Sequence, residues 1–167
     1  VLTIVPSAKT SITESQIDRS KGIPYPTDKI TFSFPEIKVG KLANGSQVYV
    51  LERNDLPLVQ MQVMFDGGYA IENLNERGYV NFTMSMMDEG TIKYDALEFN
   101  EILNSLGSGV GFGSSLDTTY GSLSSLKINL DKTLDLFKEA LLNPVFKESE
   151  IDRIKNQWLA RIDQSLN

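Results

Sequence analysis

Segment 36–65 contains three runs of alternating apolar and polar residues, and this alternation limits the possible folds more than any other feature. The runs EIKVGKL and SQVYVLE flank the turn sequence ANG, a pattern that favours a β-hairpin. A third run, LPLVQMQVMFDGG, has one face more apolar than the other. We therefore predict three strands, with the core covering the third-strand face that carries Val59, Met61, Val63 and Phe65.

The chain after residue 77 alternates between helical and strand-like patterns. Gly107 suits the C-terminal cap of the second helix, and Pro144 separates the last two helices. The resulting order is βββ-αα-ββ-αα, which predicts an α+β domain with helices packed on one face of a mostly antiparallel sheet. The patterns place helices at 78–91, 95–106, 131–142 and from about 149, and strands at 108–116 and 119–130.

The two ends of the chain look different from its middle. Residues 6–35 hold most of the prolines and show no helical period, so we predict a linker or an extended arm. The opening run VLTIV is too short for a signal peptide or a membrane span. Strand-like residues at the start and a helical period that continues to the last residues indicate that both ends were cut.

The absence of histidine and cysteine removes most metal and nucleophile chemistry. Zinc sites normally use histidine, cysteine and carboxylate ligands, and histidine-based acid-base catalysis is also excluded. Carboxylate chemistry, lysine chemistry, hard-metal binding or no catalysis remain. The net charge of -6, with scattered acids, argues against a nucleic-acid surface.

The glycine-rich segment GSGVGFGS, residues 107–114, has two interpretations. A phosphate-binding loop needs a strand before it and a helix after it, whereas here a helix precedes and a strand follows. We therefore favour a helix cap followed by a strand with few side chains. If this strand lies at a sheet edge, an extended peptide can add to it. The candidate peptide-binding residues are Gly109, Val110, Gly111, Phe112 and Gly113.

The acidic residues are better explained by structure than by catalysis. Asp88 and Glu89 are adjacent, so they do not share a helix face. Glu148, Glu150 and Asp152 fall in the first turn of the predicted last helix, where negative charge suits the helix dipole. Catalysis by carboxylates or lysine stays open as an alternative, without an acid pair to support it.

Several segments in this order resemble the pitrilysin/insulinase family, which includes the mitochondrial processing peptidases. The resemblance begins with KLANGSQVYVLERNDLPLVQMQVMFDGG and continues with GYVNFTMSMMDEGT. LNSLGSGVGFGSSLDTTYGSLSSL, LDLFKEALLNPVF and ESEIDRIKNQWLARIDQ follow. The resemblance covers the chain from about Glu36 to its end and implies the processing-peptidase-like metallopeptidase fold.

The resemblance also implies where the catalytic residues of active members would lie. Those members carry H-x-x-E-H on the helix between Gly78 and the Gly-Thr pair, with both histidines on zinc and the glutamate activating water. Here these positions hold Asn81, Met84 and Ser85, and a fourth zinc-ligand position falls on Arg161. The expected result is a module with no catalytic residue and no metal site of its own.

Family members pair a zinc-bearing module with a degenerate one, which implies a function for this chain. It would complete the peptide-binding chamber of a zinc-bearing partner module, in the same polypeptide or in a separate subunit. Zinc would belong to the partner, with peptides as the bound molecules. The alternative is an assembly scaffold of the same fold with no proteolytic partner.

The resemblance extends to the domain boundaries. Residues 1–35 include VLTIVPSAKTSITESQIDRSKG, which resembles the last strand and exit linker of a preceding module in bacterial two-module members. Residues 36–167 would then be the first part of a degenerate module, truncated at its C-terminus. Exported bacterial relatives imply a periplasmic or cell-surface location.

Overall fold

The structure, a computed structural model, describes Ser20, Gly22, Thr31 and residues 33–166. The chain divides into two compact units, Val1–Glu52 and Arg53–Asn167. The predicted arm at 6–35 and the tail of a preceding module therefore lie largely outside the described residues. Each unit is described below by itself.

In the first unit, strands β1 (Ile37–Lys41) and β2 (Gln47–Leu51) form the predicted antiparallel hairpin. The turn between them uses Gly45 with a φ of 92°, a left-handed conformation that glycine adopts without steric cost. Asn44 Oδ1 accepts the backbone N–H of Ser46 at 3.0 Å, which closes the turn. The ANG sequence thus acts as the turn that its composition predicts.

The second unit contains a three-stranded antiparallel sheet made of β3 (Leu58–Asp66), β4 (Gly109–Ser114) and β5 (Thr118–Leu126). Its strand order is β3-β5-β4, so β5 is central and pairs with both neighbours. A tight turn joins β4 to β5, with the Ser115 N–H donating to the carbonyl of Thr118 at 2.7 Å. Within the described residues, β4 is therefore an edge strand.

Four α-helices complete the second unit: α1 (Tyr79–Met86), α2 (Ala96–Ser105), α3 (Leu130–Leu142) and α4 (Glu148–Leu166). Short 3₁₀ turns at Tyr69–Ile71 and Lys127–Asn129 connect strands to helices. The α+β class and the order βββ-αα-ββ-αα are confirmed.

Helix α2 has a defined signal at each end. Asp95 and Glu98 form a reciprocal capping box at its start. At its end, Gly107 has a φ of 59°, and the Ser108 N–H donates to the Leu103 carbonyl at 3.0 Å. This is the glycine-terminated helix end that the sequence predicts.

The core lies between one face of the sheet and helices α2 and α3. Leu97 of α2 does not face this core, since its side chain is 69% exposed. Phe99, which lies two residues further along the helix and therefore on a different side, is fully buried. The buried cluster consists of Phe99, Leu103, Leu136 and Ala140, with Val110 and Phe112 of β4 packed against it.

The sheet has two chemically different faces, because alternate residues of a strand point to opposite sides. The inner face, toward the helices, carries Val59, Met61 and Val63 as predicted, whereas Phe65 is 43% exposed at the strand end. Phe112 stacks on Phe137 of α3 with ring centroids 5.7 Å apart. The register leaves the opposite, outer face to Gln60, Gln62, Ser122, Ser124, Gly109 and Gly111.

Candidate functional site

Helix α1 begins at an N-terminus that a distant carboxylate occupies. Glu72 accepts the backbone N–H groups of Gly78 and Val80, at 2.8 and 2.6 Å. The N–H groups at a helix start lack partners within the helix, and negative charge is favourable there. Glu72 therefore performs the capping role from six residues before Gly78. Sequence patterns do not reveal this cap, because a capping side chain usually directly precedes the helix.

The three motif positions lie together on α1, each with a local explanation. Asn81 Oδ1 accepts the hydroxyl of Ser114, the last residue of β4. Ser85 donates its hydroxyl to the Phe82 carbonyl at 2.7 Å, and Met84 is half-buried. An amide, a thioether and a hydroxyl do not supply the ligands that zinc takes in proteins. These residues do not fit a zinc ion.

Helices α1 and α4 are joined by an aromatic pair and an ion pair. Phe82 meets Trp158 edge-to-face, with ring centroids 5.4 Å apart. Glu89, just after α1, forms an ion pair with Arg153, which also binds Glu150 at 2.7 Å. The hydrogen bond that Arg153 donates to Glu150 and the charges of both carboxylates raise the pKa of Arg153. Apolar and ionic contacts therefore hold the two helices together.

Arg161 lies elsewhere on α4. Its side chain is exposed, and in the described chain no ion pair joins it to Asp88. Burial raises the pKa of Asp88, and the neighbouring charge of Glu89 acts in the same direction. The α4 cation that reaches the end of α1 is Arg153.

A pocket of about 450 Å³ opens at the start of α1. Its wall is fixed by the backbone, because the N–H groups of Tyr69 and Ala70 donate to the carbonyls of Ser115 and Leu116 at 3.0 and 2.9 Å. Gly68 allows this approach, since a Cβ there would lie 2.1 Å from the Ser115 oxygen. The pocket is lined by Tyr69, Ala70, Glu72, Arg77, Gly78, Asn81 and Leu116.

The five candidate peptide-binding residues lie in β4, which pairs with no second strand among the described residues. Gly109 and Gly111 lie on the outer face, where an open groove of about 590 Å³ crosses the sheet. Val110 and Phe112 point into the core. At Gly113 an added Cβ would lie 2.6 Å from the Tyr120 hydroxyl, so Tyr120 covers this position. The exposed part of β4 is therefore mainly backbone.

The described residues contain neither a cluster of metal-binding side chains nor a membrane-spanning helix. No group of three or more acidic side chains lies close enough together there to hold a metal ion. None of the described helices combines the length and the apolarity needed to cross a membrane.

The fold and the order of its elements define a peptidase-like α+β module. The model of the insulinase family, peptidase family M16, matches residues 48–166. The chain belongs to this family.

Three proteins illustrate what the chain is similar to. It is 26% identical to the non-peptidase homolog YmxG of Helicobacter pylori over 72% of this chain. It is 25% identical to cytochrome b-c1 complex subunit 1 of Caenorhabditis elegans over 80% of this chain. The crystal structure of a peptidase M16 inactive domain from Pseudomonas fluorescens superposes with a TM-score of 0.70, at 28% identity over 77% of this chain.

The chain spans less than a third of each relative, namely 28% of both curated proteins and 31% of the crystallised chain. The likeness thus covers one part of a longer architecture. The similarity of this chain to an inactive domain and to a non-peptidase homolog supports a non-catalytic peptidase-like module.

Proposed function

We propose that this chain is a non-catalytic module that completes the peptide-binding chamber of a zinc-bearing peptidase module. The partner lies in the same polypeptide or in a separate subunit, and it holds the zinc. The observation that carries the proposal is the contrast within one site. The metal-helix positions hold Asn81, Met84 and Ser85, while the neighbouring edge strand and groove stay open.

The outer face of the sheet suits contact with an extended peptide. Its groove presents glutamine and serine side chains and no charged residue, so it does not select strongly for peptide charge. Gly109 and Gly111 leave the backbone of the edge strand accessible. An extended peptide added to such an edge gains main-chain hydrogen bonds that do not depend on its sequence. A chamber wall for varied peptides needs these properties.

The test fills the groove without disturbing the core. A Cβ at Gly109 meets no atom within 4 Å, and one at Gly111 meets only Ser122 Oγ at 3.7 Å. Gly111→Leu in the full-length protein or native complex should therefore lower peptide cleavage severalfold and leave zinc content and thermal stability unchanged. Gly40→Leu, a strand glycine of the hairpin that is also in open space, is the matched control.

Removal of the whole module provides a second test. The truncated assembly should keep its zinc and lose peptide cleavage. Full activity without the module, or equal activity of the Gly111→Leu and wild-type proteins, would refute a chamber role.

The similarity to cytochrome b-c1 complex subunit 1 and to a non-peptidase homolog supports a second candidate, an assembly scaffold without a proteolytic partner. The two functions differ in the zinc content of the intact protein or complex. A chamber role requires about one zinc per pair of modules, since one module of the pair carries the metal site. A scaffold role requires none.

A further inference from the structure

The pocket at the start of α1 is lined by side chains that carry hydrogen-bond donors. Arg77 makes no hydrogen bond or ion pair with any described residue. Asn81 uses its carbonyl oxygen for Ser114, which leaves its amide N–H groups free for the pocket. Tyr69 also lines the pocket.

The one acidic group of the pocket is already engaged. Both carboxylate oxygens of Glu72 accept backbone N–H groups, at 2.8 and 2.6 Å from Gly78 and Val80. These bonds also occupy the helix start, so the free donors of the pocket are side chains. A ligand that complements them must bring acceptors, and the planar fork of Arg77 matches a carboxylate best.

The pocket also lies at one end of the open edge strand. Ser114 is the last residue of β4, and its hydroxyl bond to Asn81 connects the strand directly to the pocket. A peptide extended along β4 therefore passes close to these donors. This continuity favours a peptide over a free small anion as the source of the ligand.

We propose that this pocket binds a carboxylate of an extended peptide, through Arg77 and Asn81. The inference builds on the proposed chamber function and names a chemical preference at its edge. The carboxylate is either an aspartate or glutamate side chain or the C-terminus of the peptide.

The experiment measures direct binding to the 167-residue chain by fluorescence anisotropy. Four labelled, N-acetylated peptides share one uncharged sequence, which would be chosen for weak measurable binding. One ends in an amide, one ends in a free carboxylate, and two amidated versions carry either glutamate or glutamine at the centre. The terminal and side-chain carboxylates are thereby tested separately.

We expect at least one carboxylate peptide to bind about tenfold more tightly than its neutral counterpart, as for a charge-assisted hydrogen-bonded pair. Arg77→Gln should remove this difference. Asn81→Asp keeps an acceptor for Ser114 but replaces the amide donor with a negative oxygen, so it should also remove the preference. Arg161→Gln, which removes an exposed arginine outside the pocket, should retain it.

Equal binding of all four peptides, no binding of any, or a preference that survives Arg77→Gln would each overturn the inference. These outcomes leave the chamber role to its own test, because cleavage by the assembly and its loss in Gly111→Leu do not depend on a carboxylate. Conversely, a carboxylate preference found in an assembly that holds no zinc would support carboxylate binding by the pocket and would refute the chamber role.

Discussion

Gly121 lies between two aromatic rings, so one added methyl group there tests the packing of the core. A Cβ on Gly121 would stand 2.9 Å from Phe112 Cε1 and 2.9 Å from Phe137 Cζ. The rings of Phe112 and Phe137 stack on each other, and Phe137 is only 4% exposed. Neither ring can move away without compressing its other neighbours, because protein interiors are close-packed.

The size of the effect follows from two opposing contributions. Overpacking a core by a methyl group costs about 1–3 kcal/mol. Replacing a strand glycine by alanine gives back about 0.5–1 kcal/mol, since glycine loses more backbone freedom on folding. Gly121→Ala should therefore lower the free energy of unfolding by about 1–2 kcal/mol. Gly109→Ala, at a strand position in open space, should raise it by about 0.5 kcal/mol.

The assay is urea unfolding followed by far-UV circular dichroism, with fluorescence of the single tryptophan, Trp158, as a second probe. The midpoints of the two variants should move in opposite directions, with unchanged slopes. A Gly121→Ala protein as stable as the wild type would refute the argument that the rings are tightly packed. Equal destabilisation of both variants would show that replacing a strand glycine is itself unfavourable here, and that contact with the two rings is not the cause.

Two further predictions concern buried or capping carboxylates. The hydrogen bond from Asn143, followed by the charge and hydrogen bond of Lys93, lowers the pKa of Glu139 from 4.5, so its carboxylate stabilises the fold above the unfolded-state pKa. This stability is lost as the pH falls through the lower folded-state pKa, and Glu139→Gln should flatten the decline in unfolding free energy between about pH 5 and pH 3. A decline as steep as in the wild type would contradict this role. Glu72→Ala should cost about 1 kcal/mol of the free energy of unfolding by removing the cap of α1, and Glu72→Gln should cost less because an amide oxygen still accepts. Equal urea midpoints for the two variants would contradict a hydrogen-bonding cap.

Local signals were sufficient to predict most of the secondary structure. The hairpin follows from two alternating runs around ANG, and the end of α2 follows from Gly107, whose positive φ suits glycine. In such segments the residues that determine the structure are neighbours in the sequence. The helical pattern before the glycine-rich segment correctly predicts a helix cap followed by a strand.

Contacts between distant residues could not be predicted in the same way. Ser125 and Thr133 are fully buried and share a hydrogen bond of 2.8 Å, and Thr133 also donates to Ser108 at 2.8 Å. In the sequence these residues look like surface positions, since their burial depends on partners supplied by other elements. Glu72 and Arg77 were missed for the same reason, because their places in the pocket depend on how the chain folds back before α1.

The alternation of β4 has a consequence for the evolution of this module. Gly109 and Gly111 can gain side chains without meeting the core, whereas Val110 and Phe112 pack against it. Variation at the first pair changes the surface offered to a bound chain, and variation at the second changes stability. A saturation library of residues 109–112 should therefore show tolerance with a period of two residues. New binding preferences can then arise on one face while selection for folding acts on the other.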